Sequence, residues 1–207
     1  MVSPPDLRSP GDGHEGALVW RLPAGLEALS SAPVGGGRCR PSWLVNLRVP
    51  LTYSRTDLDV HAAEVAAAEG LAGDGIALFT AASVERWARG DHDGTTVDAT
   101  VGISKPTWAA DKTGGHGHWS PGTINLVASV PARLSEAAAV NLVMTITEAK
   151  TQALLDADVP GTGTASDAVV VLWRGEGDAV LFGGPRSEWG QRVALATYGA
   201  VQGAMPG

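Results

Sequence analysis

The hydrophobic positions of this chain fall into short apolar or alternating runs, which predict strands. Between these runs lie longer segments in which apolar residues recur at helical spacing. The first two runs are separated only by Pro23-Ala24-Gly25, which predicts a turn that pairs them as a hairpin. The predicted strands are Ala17–Leu22, Leu26–Ser31, Ser42–Val49, Gly75–Ala81, Thr95–Ile103, Thr123–Val130 and Asp167–Trp173, with a short partner at 177–184.

Polar capping residues mark the predicted helix starts. We expect helices from Asp57 to about Glu69, from Ser135 to about Asp156 and from Ser187 to about Gln202, with a short one after Ser83. Strands and helices mix along the chain without a linker or an internal repeat. This pattern predicts an α/β or α+β fold, a single domain with a mixed β-sheet packed by helices.

Two segments lack this regular pattern. Residues 1–16 are rich in Pro, Gly and charge, and we expect a disordered tail that the fold does not need. The folded domain is therefore expected to span residues 17–207. Residues 104–122 form a loop of Gly, Lys, His and Trp, and a loop of that length in a compact domain is usually functional or mobile.

The composition argues against several classes of protein. With 15 basic and 22 acidic residues the net charge is −7, which argues against a nucleic-acid partner because phosphate binding needs a basic surface. Cys39 is the single cysteine, which excludes an internal disulfide and a cysteine-based zinc cage. No apolar run has membrane-spanning length, and the N-terminus lacks a signal-peptide core, so we expect a soluble cytoplasmic protein without a membrane partner. Nothing in the sequence indicates an oligomeric state.

A glycine-rich loop follows the second predicted strand and includes Ser30, Ser31 and Gly35-Gly36-Gly37. Glycine backbone N–H groups can approach an anion or a carbonyl closely, and a serine beside a base can act as a nucleophile. The competing interpretation, which spacing alone favours, is a flexible turn that only links strands. It is not a P-loop, because the Gly-Lys-Ser/Thr ending is missing.

A second loop, residues 161–167, places small residues, hydroxyls and the Asp167 carboxylate just before a strand. Such a backbone allows a ligand to approach closely, and Asp167 can then act as a base or bind substrate amides. The alternative is a turn in which Asp167 caps local N–H groups. Spacing does not separate the two interpretations.

The long helix carries Glu148, which can act as a general base if its face lines a cleft. A solvated flank is the ordinary alternative, and spacing does not decide which face is inward.

Histidines and tryptophans in the loops suggest further chemistry. His92, His116 and His118 offer nitrogen ligands, but they lack a helix-spaced ligand frame, so we expect no metal site. Trp108 and Trp119 can stack on a flat conjugated ligand, or they can simply pack.

Taken together and in order, these motifs resemble one family, the adenosylcobinamide amidohydrolases of corrinoid salvage. The resemblance covers about Leu26 to Ala200. Its six segments are Leu29–Gly37, Asn46–Tyr53, Gly75–Ala82, Gly122–Asn125, Thr147–Thr151 and Thr162–Val171. Six motifs in the expected order are far more specific than any one of them.

The resemblance implies hydrolysis of the amide that joins aminopropanol to a propionate side chain of the corrin ring. The products would be adenosylcobyric acid and 1-amino-2-propanol. The substrate would be a small-molecule corrinoid that carries its own cobalt, so no protein-bound cofactor is expected. A non-hydrolytic corrinoid-binding protein and an amidohydrolase acting on another amide are the alternatives.

Candidate site residues follow from the shared segments. Glu148 or Asp167 would be the base for a water, with Lys150 orienting or stabilising charge, while a covalent route through Ser31 or Thr123 stays open. The expected substrate-binding residues are Ser30, Ser31, Gly35, Gly36, Gly37, Asn46, Thr80, Thr123, Asn125, Thr147, Thr162, Gly163 and Thr164. The chain departs from the family pattern at Lys105-Pro106, Ala165-Ser166 and Tyr198.

Overall fold

The structure is a computed structural model, and it describes residues 2–11, 13–112 and 122–205. Within these residues the strands are β1 (Asp6–Arg8), β2 (Ala17–Arg21), β3 (Leu26–Ser30), β4 (Gly37–Cys39), β5 (Trp43–Arg48), β6 (Gly75–Thr80), β7 (Ala88–His92), β8 (Thr95–Val101), β9 (Ile124–Val130) and β10 (Ala168–Arg174). The α-helices are α1 (Leu58–Ala68), α2 (Glu136–Leu155) and α3 (Glu188–Ala204). A 3₁₀ turn covers Val84–Arg86.

The strands form two mixed sheets. The first has the order β1-β2-β5-β6, with β5 and β6 parallel and the other pairs antiparallel. The second has the order β4-β3-β10-β9-β8-β7, with β9 and β10 parallel and the rest antiparallel. The predicted fold class, a mixed β-sheet packed by helices in one domain, is confirmed, and the structure adds that the sheets number two.

Alternation of side chains along each strand builds four layers. In β2, Leu18 and Trp20 face the core between the two sheets, whereas Ala17 and Val19 face α1. In the second sheet, alternate residues of β9 and β10 face the first sheet or pack against α2 and α3. The order of layers is therefore α1, first sheet, second sheet, and α2 with α3. Because both faces of each sheet are covered, the central strands read as nearly continuous apolar runs.

The predicted hairpin between β2 and β3 is wrong. β2 pairs with β1 and β5, while β3 pairs with β4 and β10, so the two strands belong to different sheets. A short Gly-containing turn serves equally well for a hairpin or for a corner between sheets. Burial favours the corner in this protein, since residues of both strands pack into the core between the two sheets.

Two other local predictions are corrected. The helix expected after Ser83 is limited to the 3₁₀ turn, and the chain continues as β7, where Gly90 lets α3 pack directly on the strand backbone. The segment 177–184 makes one isolated bridge, from Val180 to Leu134, and forms no longer strand in the part of the chain that the structure describes.

Part of the N-terminal segment, for which the composition predicts disorder, packs on the folded domain. Residues 6–8 form β1, which adds an edge strand to the first sheet. Val2 is 4% exposed, and the Arg89 guanidinium donates to the carbonyl oxygens of Val2 and Ser3 at 3.4 and 3.3 Å. The backbone of this segment therefore forms contacts that its Pro- and Gly-rich composition does not reveal.

One buried carboxylate is held by arginines near the end of the sandwich where β3 begins. Glu27 is 7% exposed and accepts hydrogen bonds from Arg38 Nη2 at 2.8 Å and Arg40 Nη2 at 3.1 Å. The hydrogen bond from Arg38 is the main reason that the pKa of Glu27 lies below its ordinary value.

Candidate functional site

A cleft of about 530 Å³ opens at one end of the two-sheet sandwich. The carboxyl ends of β3, β5 and β6 meet the amino ends of β9 and β10 there. Its described lining consists of Ser31, Pro33, Val49, Pro50, Tyr53, Ser54, Arg55, Leu58, Leu78, Phe79, Thr80, Ala81, Thr123, Asn125, Ser166, Asp167 and Ala168. Residues at the strand ends or directly beside them supply most of this wall.

An ion pair lies beneath the cleft at the start of β10. Lys150 Nζ, on the inward face of α2, donates to Asp167 Oδ2 at 2.5 Å, and the two side chains are 7% and 14% exposed. Asp167 Oδ1 also accepts from the N–H of Ile124 at 3.1 Å and from the N–H and hydroxyl of Thr164 at 3.1 and 2.5 Å. These donors occupy the carboxylate, so Asp167 is well placed to hold two loops and poorly placed to accept a further proton.

Gly163 packs directly on this ion pair. A Cβ at residue 163 would overlap Asp167 Oδ2 and lie 2.6 Å from Lys150 Nζ. Thr162 ties the same loop to neighbouring backbone, because its hydroxyl accepts from the N–H of Ala109 at 3.1 Å. The sequence predicts that substrate binds to Thr162, Gly163 and Thr164. These residues form the loop that packs on the ion pair beneath the cleft, and they are absent from the described cleft lining.

Asn125 presents an unpaired acceptor at the cleft. Its Nδ2 donates to Asn46 Oδ1 at 2.8 Å and to the carbonyl oxygen of Phe79 at 3.2 Å. A backbone carbonyl only accepts, so the contact with Phe79 fixes the orientation of the amide. The remaining oxygen, Oδ1, is buried and has no hydrogen-bond partner among the described residues. Asn46 in turn donates to Thr100 Oγ1 at 2.9 Å and supports Asn125 from behind.

Hydroxyl groups of four side chains complete the floor. Ser31 Oγ accepts from the N–H of Val169 at 2.9 Å, which ties the glycine-rich loop to β10. Thr123 Oγ1 and Ser166 Oγ lie 2.9 Å apart, and Ser166 donates to the carbonyl oxygen of Gly122 at 3.2 Å. Thr80 also lines the cleft, with its Oγ1 accepting from the N–H of Ala82.

The three consecutive glycines lie outside the described cleft wall. Gly35 has a positive φ of 71°, and a Cβ there would overlap the carbonyl oxygen of Gly75. The loop thus crosses closely over β6, and Val34 accepts from the N–H of Ala77 at 3.1 Å. Ser30 is buried behind the loop, where its Oγ accepts from the N–H of Ala32. Only Ser31 and Pro33 of this segment reach the cleft.

Glu148, the other carboxylate predicted as the base, is absent from the described cleft wall. Glu148 and Thr147 are exposed on the outer face of α2, whereas Lys150 is turned inward. Glu148 borders a separate shallow groove with Thr151, Gln152 and Leu155. Two residues along a helix are about 200° of rotation, so Glu148 and Lys150 point to opposite sides.

Sequence reasoning missed a tyrosine–histidine pair. Tyr53 lines the cleft, and its hydroxyl lies 2.7 Å from Nδ1 of His61 on α1, which is 1% exposed. Burial raises the pKa of the Tyr53 phenol. Tyr53 belongs to one of the shared segments and was not selected as a site residue, while a single histidine in an alanine-rich helix carries no sequence signal of its own.

Arg55 adds charge to the rim of the cleft. It donates to Asp57 at 2.7 and 3.0 Å and to Glu64 at 2.7 Å. The hydrogen bond from Arg55 lowers the pKa of Asp57 to about 2. The Arg55 charge is thereby balanced within its own network.

Of the histidines suggested by the sequence, His92 is among the described residues and lies away from the cleft. His92 lies at the far end of β7, and Thr95, its partner on β8, is at the opposite end of that strand from the cleft. His116, His118 and Trp119 lie outside the described residues. Trp108 is 47% exposed and is absent from the described cleft wall. Within the described ranges no three ligating side chains cluster to hold a metal ion.

Among the helices that the structure describes, none combines the length and the apolar character needed to cross a lipid bilayer.

Comparison with known proteins gives the family. The sequence model described as adenosylcobinamide amidohydrolase matches residues 7–206. A relative of that name from Methanosarcina mazei is 32% identical over 171 residues, which is 83% of this chain and 79% of the relative. Another of the same name, from Halobacterium salinarum, is 31% identical over 199 residues, 93% of this chain and 85% of the relative. The chain therefore belongs to the adenosylcobinamide amidohydrolase family.

Proposed function

We propose that this chain hydrolyses the aminopropanol amide of adenosylcobinamide and releases adenosylcobyric acid and 1-amino-2-propanol. One observation carries the proposal beyond family membership. Five of the six shared segments supply residues to the cleft wall, and the sixth reaches it through the Lys150–Asp167 pair. Segments that are scattered over more than a hundred residues of sequence converge on one place, as a substrate site requires.

The cleft suits an amide ligand. Asn125 Oδ1 is a buried acceptor without a partner among the described residues, and a substrate amide N–H that reached it would satisfy it. The hydroxyls of Ser31, Thr123 and Ser166 line the same cleft, and each would turn its single proton from its present protein partner to a carbonyl oxygen of the substrate. The volume of about 530 Å³ is typical of a small-ligand site, so the cleft would take the amide-bearing arm while the larger corrin ring lies outside it.

The chemistry we propose is attack by water on the amide carbonyl. Hydroxyl donors in the cleft would stabilise the oxyanion of the tetrahedral intermediate, the step at which such donors contribute most. Asp167 would act by holding Thr164, Ile124 and Lys150 in place, since its oxygens are already occupied. A covalent route through Ser31 or Thr123 is the competing mechanism. No protein-bound cofactor is part of the proposal, and the cobalt is a component of the substrate.

Incubation of the purified protein with adenosylcobinamide tests the proposal. Chromatography should detect adenosylcobyric acid and 1-amino-2-propanol in equal amounts, both before and after treatment with a chelator. Binding of adenosylcobinamide without cleavage would replace the proposal with a corrinoid-binding role. Cleavage of other amides alone would assign a different substrate, and loss of activity on chelation that zinc restores would contradict the metal-free reaction.

Substitution of Ser31 by Ala separates the two mechanisms. Water attack predicts that Ser31→Ala retains measurable turnover, because its hydroxyl is at most one of several donors. A covalent route through Ser31 predicts complete loss of turnover with adenosylcobinamide still bound. The matched change Ser166→Ala, at another hydroxyl of the same cleft, controls for the loss of one hydroxyl.

A further inference from the structure

The phenol of Tyr53 connects the cleft to a histidine that solvent does not reach. His61 is 1% exposed, and the rings of Tyr53 and Phe79 lie 5.6 Å from its own, centroid to centroid. Both imidazole nitrogens are engaged, Nδ1 by the Tyr53 hydroxyl at 2.7 Å and Nε2 by the carbonyl oxygen of Gly13 at 2.5 Å. A proton can therefore pass between His61 and the cleft through Tyr53.

The partner on the far side fixes the direction of these hydrogen bonds. The carbonyl oxygen of Gly13 only accepts, so Nε2 of His61 carries the hydrogen. In the neutral ring Nδ1 is then the acceptor, and Tyr53 donates its hydroxyl proton to it. The phenol oxygen has no further hydrogen-bond partner among the described residues, which leaves its lone pairs for a molecule bound in the cleft.

We propose that Gly13, His61 and Tyr53 form a proton relay for amide hydrolysis, an inference that rests on the proposed function. Tyr53 takes a proton from the attacking water while its own proton passes to Nδ1 of His61. The water oxygen bonds to the amide carbon, and the electron pair of the C=O bond moves to oxygen.

The return of the proton completes the reaction. His61 gives its proton back to the Tyr53 oxygen, and Tyr53 gives one to the amide nitrogen as the C–N bond breaks. The products are a carboxylic acid and an amine, with one water consumed and the relay restored. Tyr53 is the catalytic residue, and His61 acts through it.

Charged groups face the pair from α1 and from the segment before it. They are Arg55, from the segment before α1, and Asp57 and Glu64, at the start and on the surface of α1. Arg55 is paired with both carboxylates and balances their charge. Burial keeps Tyr53 neutral in the resting state by raising the pKa of its phenol.

Steady-state kinetics on adenosylcobinamide test the relay. Tyr53→Phe keeps the aromatic ring and removes the hydroxyl, and His61→Gln keeps an N–H for Gly13 and removes the proton acceptor. Each should lower kcat about 10²–10⁴-fold with KM changed less than about threefold. Because the two residues act as one unit, the double variant should be no slower than the slower single variant. Tyr198→Phe is the matched control, since that hydroxyl contacts Asp156 and Gln202 outside the cleft.

The tautomer of His61 gives a direct check on the direction of the hydrogen bonds in the relay. Nitrogen-15 chemical shifts of the free protein should show His61 protonated at Nε2 in its neutral form, a measurement that holds even where His61→Gln fails to fold.

The outcomes separate the relay from the function. If the wild-type protein cleaves adenosylcobinamide and both single variants retain near-native kcat, the relay is overturned and the function stands. A neutral His61 protonated at Nδ1 overturns the relay in the same way. If the wild-type protein does not cleave adenosylcobinamide, the proposed function is overturned and the relay fails with it.

Discussion

Replacement of Asp167 by Asn distinguishes a structural carboxylate from a catalytic base. The substitution keeps the shape of the side chain but removes the charge that faces Lys150 Nζ at 2.5 Å. It also places an amide N–H group where one oxygen now accepts, among donors from Ile124 and Thr164. The variant should therefore lose stability first, and lose turnover as a consequence.

The size of the effect follows from burial. The Lys150 side chain is 7% exposed, so the substitution leaves an ammonium group buried without its counter-charge. Breaking a buried ion pair by removing one partner costs about 3–5 kcal/mol. In a chain of 207 residues each kcal/mol shifts the melting temperature by about 2–4 °C, so we expect a decrease of about 6–20 °C.

Thermal unfolding followed by circular dichroism measures this decrease, and the same samples are assayed for adenosylcobinamide cleavage. Glu148→Gln is the control, because that carboxylate is exposed on the outer face of α2 and its loss should change stability by less than about 0.5 kcal/mol. A variant Asp167→Asn that melts with the wild type, binds corrinoid and loses turnover 10²–10⁴-fold would refute the reasoning. Asp167 would then be the base.

Three further predictions concern other parts of the fold. Gly163→Ala should lower the melting temperature, because its Cβ would overlap Asp167 Oδ2, and near-native melting would contradict the tight packing. Glu27→Gln should destabilise the protein by about 1–3 kcal/mol at pH 7 in urea unfolding, through lost charge-assisted hydrogen bonds. The pKa of Glu27 is lower in the folded than in the unfolded protein, so this loss of stability should be fully present above the unfolded pKa. It should shrink as the pH falls through the folded pKa, and a loss of stability that does not depend on pH would contradict the prediction. Deletion of residues 1–16 should lower the melting temperature, because β1 and the buried Val2 are lost. An unchanged melting temperature would instead support the disordered tail that the composition predicts.

Several residues that the sequence selects lie in the wall of the candidate site, and their roles stay predictions. Ser31, Thr80, Thr123, Asn125 and Asp167 all line the cleft, as the shared segments suggested. Glu148 was selected from the same helix as Lys150, and only the packing of α2 shows which of the two is inward. The hydrogen bond from Tyr53 to His61 joins side chains from a loop and a helix, and no spacing rule connects them.

The sequence by itself determined the local elements, because alternation and capping act over a few residues. β2, β5, β6, β8, β9 and β10 and all three α-helices appear within a few residues of their predicted bounds. Ser135 and Ser187 cap α2 and α3 through the side-chain oxygens that the sequence indicated.

Only the tertiary structure decided which strands are neighbours, how many sheets there are and what the ends of the strands bring together. The turn at Pro23-Ala24-Gly25 is compatible with a hairpin or with a corner between sheets, and long-range burial selected the corner. The edge strand β1 forms because β2 offers it unpaired backbone groups, although the composition of residues 1–16 does not indicate a strand. Strand pairing and burial depend on contacts between residues that are distant in sequence. A local pattern therefore predicts the helices and strands of this protein, and the packed core determines the site.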